Sequence, residues 1–287
     1  MNRIAGSVLA AVAIAALALG AWVGLNIRGQ DNPWLAPARD LAEGNGWEAG
    51  RIDAGLFQLT AFRRLEGDED GLLVVYIEGD GYAWKSPTEL SSDPTPRRPR
   101  VLELAVQDPE GNVAYLARPC QYLPDNEIGR CPPVLWSVSR YAGEVIDALD
   151  IAIDSLKREA GAARVRLVGV SGGGTLAALV AARRDDVVGL VTVAANLDHG
   201  VWTDRHAITP LIDSRNAADV ALMIQDIPQV HFIGAQDGNV TRAEVDAYVA
   251  RMDDAAMTQV VVVPEYDHTC CWASEWPRLL DAYPVGN

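Results

Sequence analysis

The chain has 287 residues, 49% of them hydrophobic, which is enough to bury a large core and argues against a disordered protein. Asp and Glu outnumber Lys and Arg by 39 to 24, giving a net charge of −15. That balance argues against nucleic acid and against electrostatic docking on anionic lipid, and it points to a small neutral or cationic substrate.

Residues 4–25 are an almost unbroken apolar segment between Arg3 and Asn26, read as a signal peptide or an N-terminal membrane anchor. Export to the periplasm is expected, with the protein either released or held at the inner membrane; membrane contact is expected only through this segment. Its length suits a spanning anchor, while Ala18 and Gly20 offer a cleavage site before Ala21, and both readings stay open. Residues 26–50 mix Pro, Gly and charges and read as a linker with little structure of its own, leaving residues 51–287 as the main domain.

Within that domain, residues 56–63 read as a strand, 67–71 as an acidic turn and 72–77 as a second, more buried strand. A polar glycine loop, E-G-D-G-Y-A-W, ends that strand. A long loop rich in Pro, Ser and Arg follows over 86–100, then a helix over 101–107 and a strand over 112–117. In an exported chain, four cysteines imply disulfides. Cys120 and Cys131 bracket a short loop with turn residues and are expected to pair. Cys270 and Cys271 are adjacent, and neighbours seldom bond each other, so bridges elsewhere or free thiols remain open. A C-C pair beside one histidine lacks zinc-site spacing, so neither a metal nor any other cofactor is expected.

Residues 141–157 have helical periodicity, with Val145, Ile146, Leu149, Ala152, Ile153 and Leu156 on one face and Asp147, Asp150 and Asp154 opposite. Strands over 187–195, 230–235 and 259–263 alternate with helical patterns over 217–224 and 242–252. The alternation predicts an α/β protein: a mostly parallel central sheet with helices on both faces. Residues 196–227 are too few for a cap domain and read as a small lid. Trp202, Ile208, Pro210 and Leu211 form either its apolar underside or an excursion into the core.

The most specific signal is V-R-L-V-G-V-S-G-G-G-T at 165–175, an apolar run entering a glycine turn and then an alanine-rich helix. On such a turn Ser171 is the candidate nucleophile, with Gly169 and Gly173 letting strand and helix pass closely. A phosphate-cradling loop is disfavoured, because Ser171 stands where a dinucleotide fingerprint needs glycine and no G-K-[ST] follows. A serine hydroxyl needs a histidine base, which needs a carboxylate to orient it. Of four histidines, His268 lies in the loop after strand 259–263, at the same sheet edge as Ser171. His231 reads as structural, whereas His199 and His206 either line a pocket or face solvent. Asp237 ends a strand and opens the turn D-G-N-V; Asp267 is a weaker alternative, being adjacent to the histidine. The backbone N–H groups of Gly172 and Asp80 are the candidate oxyanion donors. Substrate contacts are expected from Gly79, Gly81, Tyr82, Trp84, Trp202 and His206.

G-V-S-G-G, the strand-end Asp237 and the late His268 together resemble the α/β-hydrolase superfamily over residues 56–284. The segments I-E-G-D-G-Y-A-W, D-P-T-P-R-R-P, Y-L-A-R-P-C-Q-Y and N-L-D-H resemble a group of exported bacterial α/β hydrolases. The resemblance implies the α/β-hydrolase fold and the Ser-Asp-His roles but no substrate; the reading drawn from the residues is a serine hydrolase acting on a small ester through an acyl-enzyme on Ser171. A peptidase, amidase or acyltransferase on the same fold, or a catalytically silent envelope binding module, are the alternatives. One departure stands out: esterases and lipases of the superfamily usually carry His-Gly at the oxyanion loop, and this chain has Glu78-Gly79-Asp80-Gly81. An acidic mouth of this kind implies a cationic substrate group.

Overall fold

The computed structural model describes residues 22–23, 32–67 and 71–286. Trp22–Val23 form a two-residue strand, β1, antiparallel to Arg51 and Ile52. The rest of the apolar segment 4–25, and with it the signal or anchor reading, lies outside the described residues, as does the middle of the turn at 67–71.

Part of the stretch expected as a linker is folded. Leu35–Gly44 form helix α1, which buries Leu35, Ala38 and Ala42, and Glu48–Ala54 form strand β2. Three small or apolar residues at i, i+3 and i+7 make a helix face only one residue wide, which the surrounding Pro and Gly mask. In β2 the inward-facing Arg51 is neutralised by Glu127 at 2.9 Å. A charge buried by a partner 76 residues away leaves no trace in local hydropathy.

β2 runs antiparallel to β3 (Phe57–Leu65), and β4 (Leu72–Ile77) is buried along its whole length. The loop expected over 86–100 holds part of a small hairpin, β5 (Trp84–Ser86) and β6 (Glu89–Leu90), before helix α2 (Arg100–Ala105) and strand β7 (Asn112–Leu116). The Cys120–Cys131 disulfide closes the next loop, around the short helix α3 (Asp125–Ile128), with Cα atoms 5.9 Å apart. Helix α4 (Gly143–Ala160) buries the face its periodicity predicts and ends at Gly161, whose φ of 65° suits a residue without a Cβ.

Then follow β8 (Arg164–Val170), α5 (Gly172–Ala181), β9 (Val187–Val193), α6 (His199–His206), a 3-10 helix (Ala217–Ile224), β10 (Gln229–Gly234), α7 (Arg242–Val249) and β11 (Thr258–Val263). A final helix, α8 (Trp272–Ala282), buries Trp272, Trp276 and Leu279.

The sheet order is β1-β2-β3-β7-β4-β8-β9-β10-β11, antiparallel up to the β3–β7 pair and parallel from β7–β4 onward. Successive β4 residues alternate between two cores: Leu73, Val75 and Ile77 join the α4 and α5 side, and Leu72, Val74 and Tyr76 join the α1, α2 and α8 side. Because the neighbouring strands are parallel, their carboxyl ends share one edge. The loops after β4, β8, β10 and β11 therefore converge there.

Candidate active site

Ser171 sits between β8 and α5 with φ 54° and ψ −125°, a conformation that costs a non-glycine residue roughly 1–3 kcal/mol. The surroundings hold it there: its N–H donates to the Val193 carbonyl at 2.9 Å, and strand and helix cross with no room for side chains. A Cβ at Gly169 would collide with the Gly173 backbone, and one at Gly173 with the Ile77 carbonyl. A turn this tight leaves the serine side chain at the tip, facing the converging loops.

His268 follows β11 and reaches that tip. With the proton on Nδ1, it donates to Asp237 Oδ2 at 2.7 Å, and its Nε2 accepts from the Ser171 hydroxyl at 3.1 Å. The Asp237 side chain is fully buried, and its Oδ1 accepts the N–H groups of Asn239 and Val240 at 2.8 and 2.9 Å. These two bonds leave Oδ2 for the imidazole. Asn239 was not singled out from the sequence; its Nδ2 lies 3.3 Å from His268 Nε2, beside the lone pair that faces the serine. The D-G-N-V turn was the only available signal for it. Asp267, the alternative acid, instead accepts the N–H groups of Thr269 and Cys270 and shapes the histidine's own loop. Cys270 and Cys271, expected to avoid each other, are joined by a disulfide across a cis peptide bond, with Cα atoms 3.1 Å apart.

The loop after β4 shows how carboxylates are tolerated beside the serine. Asp80 is held by two guanidiniums, Arg118 and Arg140, the latter at 2.6 Å. Burial alone would push its carboxyl up, but Arg140 and Arg118 outweigh burial and hold it down at about 2. Glu78 turns inward, accepting from the Tyr115 hydroxyl and from the Gly79 N–H, both at 2.8 Å. Burial pushes its carboxyl up to about 7, against the opposing pull of those two bonds and of Arg118. The N–H groups of Gly172 and Asp80 make no hydrogen bond to another described residue, and Gly172 is the first residue of α5. Gly79 brings the loop against the elbow, since a Cβ there would lie 3.1 Å from the Val170 carbonyl.

A cleft of about 480 Å³ opens over Ser171 and His268. Gly79, Asp80, Gly81 and Tyr82 line it from one side and Asn239 and Thr269 from the other. Trp84 lies outside, half-exposed on the β5 hairpin. Trp202 and His206 are also outside: both donate to the Asn239 carbonyl, at 3.1 and 2.9 Å, and so brace the turn that carries Asp237. No residue of 196–227 lines the cleft. Leu211 of that segment packs into the core, while Ile208 and Ile212 are exposed. The wall over the serine is built instead by residues 96–101, with Arg97, Arg98 and Arg100 facing the cleft. The expectation of an acidic mouth is therefore corrected, because Asp80 is neutralised, Glu78 turns inward, and the rim charges that remain are positive.

Of the other histidines, buried His231 shares a hydrogen bond with Thr192 at 2.9 Å and is pushed down to about 3 by burial, as suits a neutral structural residue. His199 stacks near Tyr141 with ring centroids 6.2 Å apart.

No family model matches the sequence, and no curated protein matches it. Solved structures do. An esterase from Pyrococcus furiosus, Pf2001, superposes with a TM-score of 0.59 at 16% identity, over 84% of this chain and 95% of that one. Est1E from Butyrivibrio proteoclasticus gives 0.54 at 15%, over 82% and 96%. An acylaminoacyl peptidase from Pyrococcus horikoshii gives 0.58 at 11%, over 83% of this chain and 40% of that one. Together with its mostly parallel central sheet flanked by helices, these likenesses show that the chain has the α/β-hydrolase fold.

Proposed function

We propose that the protein is a serine hydrolase that cleaves a carboxylic ester through an acyl-enzyme on Ser171. One observation carries this reading: an unbroken hydrogen-bonded line from Ser171 Oγ through His268 to buried Asp237, ending on a strained elbow beneath an open cleft. In this reading His268 Nε2 takes the hydroxyl proton as Oγ attacks the carbonyl carbon. Asp237 fixes the tautomer and stabilises the imidazolium. The carbonyl oxygen becomes an oxyanion facing the free N–H groups of Gly172 and Asp80. His268 then returns its proton to the leaving alcohol, and water repeats the sequence to release the acid. The two esterases among the similar folds favour an ester, and the peptidase keeps an amide as the second substrate to assay.

Export belongs to the same proposal and rests on the apolar segment 4–25 and on the Cys120–Cys131 disulfide, a bond that persists in oxidising compartments. The decisive experiment is fluorophosphonate labelling of the folded protein, with the modified residue located by peptide mass spectrometry. Labelling at Ser171 that disappears in His268→Ala is expected. An unreactive Ser171 would overturn the hydrolase reading in favour of a binding module.

A further inference from the structure

The rim of the cleft has the opposite sign to the molecule. In a chain of net charge −15, the segment R-R-P-R places Arg97, Arg98 and Arg100 on the wall facing Ser171 and His268. Acidic partners do not account for two of them. Arg98 is exposed and makes no ion pair among the described residues. Arg100 Nη1 donates to the Thr269 carbonyl at 2.8 Å, one residue beyond His268, and it too has no carboxylate within ion-pair distance among the described residues.

Arg97 is the most firmly placed. Its guanidinium lies between the rings of Trp34 and Tyr82, 4.4 and 4.5 Å from their centroids, with Asp93 only at 3.8 Å. An aromatic sandwich fixes a guanidinium in position without cancelling its charge. Nor do the acids of the cleft cancel the rim. Asp80 already faces two guanidiniums, so that cluster carries a surplus positive charge, and the Glu78 carboxyl is turned into the core on Tyr115. Lys85 and Glu89 of the nearby hairpin pair with each other at 2.8 Å and leave the balance unchanged.

Resting on the hydrolase reading of the same cleft, we infer that the substrate is an anionic ester, with a carboxylate or phosphate group on its acyl or alcohol part that Arg97, Arg98 and Arg100 receive while the scissile carbonyl lies over Ser171. Guanidinium forks match both oxyacids in geometry, so the shared chemistry is a planar or tetrahedral oxyanion. The arginines then set specificity without touching the reacting atoms.

The test uses matched esters on the folded protein. For the alcohol side, para-acetoxybenzoate and para-acetoxyphenyl phosphate are compared with the neutral methyl ester of the former. For the acyl side, the mono-para-nitrophenyl ester of adipate is compared with its methyl-capped form. The inference expects kcat/KM to favour the anionic member of at least one pair. The favoured arm tells carboxylate from phosphate and acyl from alcohol side. In Arg98→Gln, whose exposed side chain the fold does not need, the anionic-to-neutral ratio should fall about fivefold, the size of one charge contact in a half-solvated site. A ratio at or below one in every pair, or one that Arg98→Gln does not lower, overturns the inference and leaves the hydrolase reading intact if Ser171 is labelled. Should Ser171 prove inert, calorimetric titration with adipate and inorganic phosphate decides. Binding weakened by Arg98→Gln upholds the anion site alone, and no binding overturns it.

Discussion

At the scale of single residues, the site is a set of paid-for exceptions to ordinary side-chain behaviour, and each makes a measurable claim. Asp80 is the clearest. Its carboxylate separates Arg118 and Arg140, whose side chains are 4% and 7% exposed, and it lies against Gly172 at the start of α5. Asp80→Asn would keep the shape and leave two guanidiniums facing each other without a counter-charge. A loss of roughly 3 kcal/mol in urea unfolding is expected, as for a broken buried pair, with a fall in kcat as the elbow shifts. An unchanged unfolding midpoint would mean that solvent, not Asp80, balances the arginines. Glu78 makes a claim about pH. Its folded value of about 7 stands above the ordinary 4.5, so the folded state holds a proton that the unfolded state releases between those values. The stability from this group is complete below pH 4.5 and is lost as pH rises towards and through 7. Urea midpoints measured across that window should decline more steeply for the wild type than for Glu78→Gln. Equal slopes would remove Glu78 from the account.

At the scale of elements, what was legible depended on whether the signal was local. The turn around Ser171, the apolar run of β4 and the one-sided periodicity of α4 each advertise themselves within a few residues, because backbone geometry or a single buried face dictates the sequence there. The order Ser171, Asp237, His268 was readable for the same reason: each follows a recognisable strand. Arg118 and Arg140 were not, since each owes its role to Asp80, 38 and 60 residues away. The charge on the wall of the cleft is hidden from the sequence on similar grounds. The acids of E-G-D-G are visible in sequence, but the guanidiniums that neutralise one of them and line the rim lie elsewhere. Helix α1 is the element whose packing most contradicts its composition. Leu35 is 2% exposed and sits in the core cluster with Trp47, Leu102 and Trp276. Leu35→Ala should therefore cost about 3 kcal/mol in denaturant unfolding, within the range for a buried leucine. A cost near zero would restore the linker reading of this stretch.

At the scale of the whole molecule, the excess of 15 negative charges works against the compact state, because folding brings them closer together. Ion pairs pull the other way. The best connected centres on Arg184, which meets Asp150, Asp154 and Asp186, and it is buried enough to keep its strength in salt. Pairs such as Arg183 with Asp147, Arg242 with Asp246 and Arg278 with Glu275 are exposed on both sides, and each contributes little. Salt screens exposed charges over about 8 Å at physiological ionic strength, so it should remove more long-range repulsion than short-range attraction. Raising NaCl from about 0.01 M to about 0.15 M is therefore expected to raise the urea midpoint at neutral pH. Sodium sulfate is unsuitable for this titration, because it strengthens apolar burial by exclusion and would raise the midpoint whatever the charges do. A midpoint that falls in NaCl would mean that the surface pairs outweigh the net charge, and the acidity of the chain would then need a reason outside its own stability.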